Sequence, residues 1–132
     1  MRIYITHCSK KKDDSLKNNG EVTPDKLYMS ACIQRFMNKC KERNVKKWAI
    51  FSDKYGVWFS NDKHKWYEKD PNKVTVQEFR ILLDNFDRRL QKYDEICFYY
   101  NPGRFHLLYE ILLQMTTLKY KVKRFTHIRE IV

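Results

Sequence analysis

Arg2-Ile3-Tyr4-Ile5-Thr6-His7-Cys8-Ser9-Lys10-Lys11-Lys12 is the stretch from which the rest of the chain is read. Its first half alternates polar and apolar residues and is rich in β-branched and aromatic side chains, the pattern of a strand. Its second half has no apolar residue after Cys8 and supplies a thiol, a hydroxyl and three ammonium groups. Open α/β sheets build ligand sites by delivering such groups at the carboxyl ends of their strands. A site is expected here.

Working outward, residues 13–25 are polar, contain Asn18-Asn19-Gly20 and Pro24, and read as a long surface loop. Met29, Cys32, Phe36 and Cys40 then recur at three- and four-residue spacing, predicting an amphipathic helix over residues 30–44. Trp48-Ala49-Ile50-Phe51 is an unbroken apolar run, as expected of a parallel strand buried on both faces. Residues 57–74 read as an irregular excursion. Its Trp58, Phe59, Trp66 and Tyr67 either fold back onto the sheet or face a ligand. Thr75-Val76-Gln77-Glu78 is a capping box that opens a second helix, with Phe79, Leu82, Leu83, Phe86 and Leu90 as its buried stripe.

Ile96-Cys97-Phe98-Tyr99-Tyr100 reads as a third strand. Asn101-Pro102 would then cap and open a third helix carrying Phe105, Leu108, Leu112 and Met115. The alternation over residues 119–125 predicts a fourth, edge strand whose lysines discourage further pairing. Strands alternating with helices imply right-handed crossovers and a parallel sheet between helix layers. The expected fold class is therefore α/β: three-layer α/β/α, with a small, mostly parallel four-stranded sheet in order 2-1-3-4.

The 132 residues suffice for one domain. With 27 Lys plus Arg against 16 Asp plus Glu, the formal charge is +11, which favours anionic partners over a merely solvated surface. Aromatics reach 15%, more than a small core needs, and tilt the reading toward base stacking. The four cysteines form no C-x-x-C pair and no secretory signal is present, so neither disulfides nor zinc are expected. Histidines 7, 64, 106 and 127 lack ligand spacing, and no cofactor is expected. Without a run long enough to span a bilayer, a cytoplasmic location and no membrane partner are expected. G-x-G-x-x-G, G-x-x-x-x-G-K-[ST] and G-x-S-x-G are all absent, which argues against a Rossmann site, a P-loop and an α/β-hydrolase.

In the expected fold one rim carries Cys8-Ser9-Lys10, Ser52-Asp53-Lys54-Tyr55, Asn101, Gly103-Arg104 and Thr126-His127. Gly56 and Gly103 fall on it too, suited to tight turns or close approach of a ligand. Cys8 is the nucleophile candidate. The lysines after it lower its pKa if they point at the sulfur; a buried strand-end thiol beside a solvated lysine cluster is the alternative.

Cys8-Ser9-Lys10-Lys11, Leu27-Tyr28-Met29-Ser30, Phe51-Ser52-Asp53-Lys54-Tyr55-Gly56 and Tyr67-Glu68 follow in order a set of segments typical of a small prokaryotic domain family of unknown function. That family typically reads Cys-Ser-x-Lys, Leu-Tyr-x-Ser, Leu-Ser-Ala-Lys-Tyr-Gly and Pro-Tyr-Asp, and the resemblance covers the first half of the chain. Cys8 and Lys12, with Tyr28 and Ser30, are also similar to the core of archaeosine synthase, which acts on a deazaguanine base in transfer RNA. Asp53 stands where the family has alanine, and residues 13–25 separate segments that lie closer together in the synthase. The resemblance implies that Cys8, Ser9, Lys10, Tyr28, Ser30, Ser52, Lys54, Tyr55, Gly56, Tyr67 and Glu68 form one site.

Two functions are compatible with these residues. In the first, the chain is a nucleobase- or nucleotide-directed enzyme acting on modified nucleic acid or its components. Cys8 or Ser9 is then nucleophile or oxyanion donor, with Ser52 beside them. Lys10 and Arg104 hold phosphate, Tyr55 or Tyr67 stacks on the base, and Glu68 or Asp53 is the general acid or base. In the second, the chain is a non-catalytic basic nucleic-acid-binding domain. The expected partner is a nucleotide, a nucleoside, RNA or DNA.

Overall fold

A computed structural model describes residues 1–132. The elements run β1 (Arg2–His7), β2 (Glu21–Val22), α1 (Pro24–Leu27), α2 (Ala31–Glu42), β3 (Trp48–Ser52), β4 (Gly56–Phe59), β5 (His64–Lys65), α3 (Val76–Leu90), β6 (Glu95–Tyr99), α4 (Leu107–Met115) and β7 (Val122–Phe125). Short 3-10 turns join several of them.

The fold is α/β, built on a mixed five-stranded sheet in order β4-β3-β1-β6-β7. β1 pairs in parallel with β3 and β6, and β6 in parallel with β7. The register sets His7 beside Phe51, Thr6 beside Tyr99, and Tyr99 beside Phe125, so four carboxyl ends share one rim. The expected four-stranded sheet is corrected by one strand: β4 turns back on β3 antiparallel, with Gly56 opposite Ser52. Polar residues after Ser52 make a tight turn, and Gly56 takes φ +76, a left-handed conformation that glycine adopts without a steric cost. Val57 and Trp58 are then fully buried, which makes β4 core rather than excursion.

The two faces of the sheet follow from period two along each strand. Trp48 and Tyr99 meet Phe36 of α2 on one face, while Phe51 meets Phe86 of α3 and Tyr109 of α4 on the other. Helices thus cover both faces.

α2 begins one residue after Ser30, whose Oγ accepts from the Ile33 amide. Ile33, Phe36, Met37 and Cys40 form its buried stripe, but Met29, expected in that stripe, lies before the helix and is exposed. α3 has the anticipated capping box, with Thr75 and Glu78 each bonding the other's backbone amide, and ends at Leu90.

The third long helix departs from expectation. Asn101 Oδ1 accepts from the Gly103 amide and closes a single 3-10 turn over Pro102–Arg104, after which Phe105 is extended. α4 starts only at Leu107, capped by His106 Nδ1 accepting from the Leu108 amide at 2.9 Å. The last strand is shorter than 119–125 because Lys119–Lys121 form another 3-10 turn.

Residues 13–25 are less free than composition suggests. β2 pairs antiparallel with β5, setting Glu21 opposite Lys65 and Val22 opposite His64. Asp13 donates its amide to the Leu27 carbonyl and Met29 to the Lys11 carbonyl, which ties the segment after β1 to the entry of α2. No helix is long and apolar enough to cross a membrane.

Candidate functional site

Cys8 ends the central strand, its amide donating to the Phe51 carbonyl at 2.9 Å. The chain then swings away from the sheet through Ser9, Lys10 and Lys11 to Lys12, which bridges antiparallel to Tyr28. Opposite it, residues 66–73 cross the rim between β5 and α3. Between these two walls opens a cleft of about 1100 Å³, lined by residues 8–12, Asp14, Asp53, residues 66–73 and Tyr109. A shallower hollow of about 450 Å³ lies at the amino-end rim among Met1, Lys46, Asp94 and Val132, far from the thiol.

The floor of the cleft is polar and buried. Cys8 Sγ lies 3.1 Å from Tyr109 Oη and accepts from the Asp53 amide at 3.4 Å. Tyr109 is held by stacking on His7, with ring centroids 5.0 Å apart. Burial, with the Asp53 carboxyl adding to it, pushes the Cys8 thiol up to about 11, so the resting group is S–H. Of the two environments expected for Cys8, the buried strand-end thiol is the one observed: Lys10 and Lys11 are exposed, and burial sets the direction of the shift.

Asp53 is buried, and desolvation raises its pKa, with the Cys8 thiol and the Lys12 ammonium drawing it partly back. Its Oδ1 meets no hydrogen-bond partner. Lys12 Nζ sits 4.4 Å from the Tyr67 ring centroid and 5.9 Å from that of Tyr28. Burial lowers the Lys12 pKa, while Cys8, Asp53 and Glu68 act against that shift. Behind it the Tyr28 and Tyr67 hydroxyls share a 2.6 Å hydrogen bond, and burial raises both phenols well above their usual value.

One wall is pinned by a histidine. His106 Nδ1 already accepts from Leu108, so its Nε2–H donates to Asn72 Oδ1 at 2.8 Å, joining the start of α4 to residues 66–73. Lys69 is tied to Glu78 at 2.6 Å. Trp66 is half-buried, with Lys17 Nζ 4.8 Å from its ring centroid.

Of the residues singled out from sequence, Cys8, Ser9, Lys10, Tyr67 and Glu68 line the cleft. Tyr28, Ser30 and Ser52 lie behind it as supports. Ser9 Oγ donates to Ser30 Oγ at 3.1 Å, and Ser52 Oγ accepts from the Lys54 and Tyr55 amides at 3.1 and 3.0 Å. The remaining ones are not brought in. Tyr55 stacks on His64 at 4.1 Å and donates its hydroxyl to the Lys65 carbonyl, while Lys54 is exposed beside it. Gly56 serves its turn: a Cβ there would lie 2.3 Å from Asn85 Oδ1. Asn101, Gly103 and Arg104 form the 3-10 turn before α4, outside the cleft lining.

Sequence reasoning missed Tyr109 and Lys73 as cleft residues, and left Trp66 between the sheet and a ligand. Tyr109 gave no signal, because within α4 it reads as one more apolar position, 101 residues from its sulfur partner. No three His, Cys, Asp or Glu side chains gather as a metal set; the groups suited to a charged ligand are the lysines. No protein-family model matches this chain, and no curated protein or solved structure matches it either.

Proposed function

We propose that this chain is a nucleobase- or nucleotide-directed enzyme, working in the cytoplasm, with Cys8 as nucleophile and Asp53 as proton acceptor. One observation carries the reading: a thiol, a buried carboxyl with an unpartnered oxygen and a tyrosine hydroxyl meet on the floor of a concave cleft walled by lysines. Concave clefts with a few convergent polar groups and perturbed titratable residues are the usual form of a small-ligand site. A flat basic face would have favoured a purely binding module.

The chemistry follows from the resting protonation states. Cys8 is held as a thiol until an electrophilic ring carbon approaches. As the carbon–sulfur bond forms, the S–H proton leaves for the Asp53 carboxylate and the π pair of the attacked ring C=N settles on its nitrogen, so no free thiolate accumulates. The Asp53 amide points at the sulfur and the Lys12 ammonium stands near, both favouring negative charge on it. Lys10 and Lys11 line the same cleft and would hold phosphate, while Tyr67, buried with its hydroxyl on Tyr28, backs the Lys12 ammonium.

The test is a thermal-shift screen against nucleosides, nucleotides and short RNA and DNA, paired with mass-mapped alkylation of Cys8. At least one of these classes should raise the melting temperature and slow Cys8 alkylation. A ligand at a hundred times its Kd adds about 2.7 kcal/mol of apparent stability. Stabilisation without Cys8 protection would move the protein to the non-catalytic nucleic-acid-binding class. No stabilisation by any of them would remove the nucleotide reading.

A further inference from the structure

Two buried side-chain polar atoms in the molecule lack a hydrogen-bond partner, Asp53 Oδ1 and Trp66 Nε1. Both belong to residues that line the cleft. One is an acceptor and the other a donor, and leaving such a group unsatisfied costs about 1–3 kcal/mol. Folded proteins keep few of these, so two at one site mark where an external partner binds. The cleft walls carry charge of both signs, five lysines against Asp14, Asp53, Glu68 and Asp70. Lys10, Lys11, Lys12 and Lys73 take part in none of the molecule's eight ion pairs, whereas their neighbour Lys69 is paired with Glu78.

The size of the cleft matters too. At about 1100 Å³ it passes the upper end of the range for drug-sized ligands, roughly 300–1,000 Å³. A lone nucleotide would leave part of this volume, and several of the unpaired lysines, unused. A short single strand fits all three observations. Its base edge offers an N–H to Asp53, its oxygens offer acceptors to Trp66, and successive phosphates meet successive lysines. A duplex holds its base edges and faces within the stack, away from the cleft floor.

We infer that the substrate of this cleft is a nucleotide carried within a single-stranded nucleic acid, with one base inserted toward Cys8 and Asp53 and the flanking phosphates lying along Lys10, Lys11 and Lys73. The inference rests on the nucleotide-directed reading above and narrows its substrate class.

The test compares mixed-sequence nucleoside monophosphates, 5′-phosphorylated trinucleotides, single-stranded hexanucleotides and a hairpin duplex. Affinity is measured at several salt concentrations, with Cys8 alkylation followed in parallel. The trinucleotides should bind at least roughly tenfold more tightly than the monophosphates, and the duplex more weakly than the single strands. For three neutralised phosphates the slope of log K against log salt should be about −2. The triple variant Lys10→Gln/Lys11→Gln/Lys73→Gln should flatten that slope toward zero. Monophosphates that bind as well as trinucleotides and still shield Cys8 would overturn the strand and leave the nucleotide reading standing. Preference for the duplex, or an unchanged slope in the triple variant, would also overturn it. No binding by any probe, with Cys8 alkylation unaffected, would overturn both.

Discussion

The four thiols of this chain sort by environment rather than by neighbours in sequence. Cys8, Cys40 and Cys97 are buried, and Cys32 is half-exposed beside Tyr99 on the α2 face. Burial pushes Cys40 and Cys97 up to about 12 and Cys8 to about 11, where Asp53 contributes as well. Cys32, the least buried, should be alkylated first at neutral pH, and the Cys8 rate should rise about tenfold per pH unit until it levels off near pH 11. Replacing Asp53 by Asn removes the negative neighbour, lowers the Cys8 pKa and speeds its alkylation at any fixed pH between 7 and 10. A Cys8 rate unchanged by Asp53→Asn, read by mass mapping, would show that desolvation alone sets this thiol and would cost Asp53 its place as proton acceptor. Three lysines follow Cys8 in the chain, yet a carboxyl forty-five positions away acts on it through a shared floor.

Among elements, the β3–β4 hairpin fixes where Asp53 sits. Ser52 Oγ caps the turn, Gly56 allows its left-handed backbone, and Asn85 of α3 accepts from the Val57 amide at 2.8 Å. Gly56→Ala combines the left-handed cost of about 1–2 kcal/mol with a Cβ that collides with Asn85 Oδ1. Losing that hydrogen bond leaves the Val57 amide unpartnered, so urea denaturation should show roughly 2–4 kcal/mol of destabilisation in all. Gly20 has a similar φ of +74 and nothing within 4 Å of a Cβ, so Gly20→Ala should cost only the backbone share. Equal losses at both glycines would mean that the Asn85 contact is dispensable.

Over the whole molecule a charge of +11 acts against eight ion pairs, most of them partly exposed. Exposed pairs contribute about 0–1 kcal/mol each, whereas like-charge repulsion is spread over the compact state and relaxes on unfolding. Raising salt from 0.01 to 0.15 M shortens the screening length from about 30 to 8 Å and should raise the melting temperature by roughly 2–5 °C. A melting temperature that falls instead would mean that the pairs dominate. The sequence by itself determined the α/β alternation, the helix stripes of α2 and α3, the capping box at Thr75 and the rim that receives Cys8, Ser52 and Gly103. These are local patterns, set by periodicity and by caps that reach only three residues. Only tertiary structure decided that β4 turns back into the sheet, that β2 meets β5, and that Tyr109 and Asp53 close around the sulfur while Tyr55 and Arg104 stay outside. Those outcomes depend on contacts between residues far apart in the chain, and the protonation of Cys8 depends on how much water those contacts exclude.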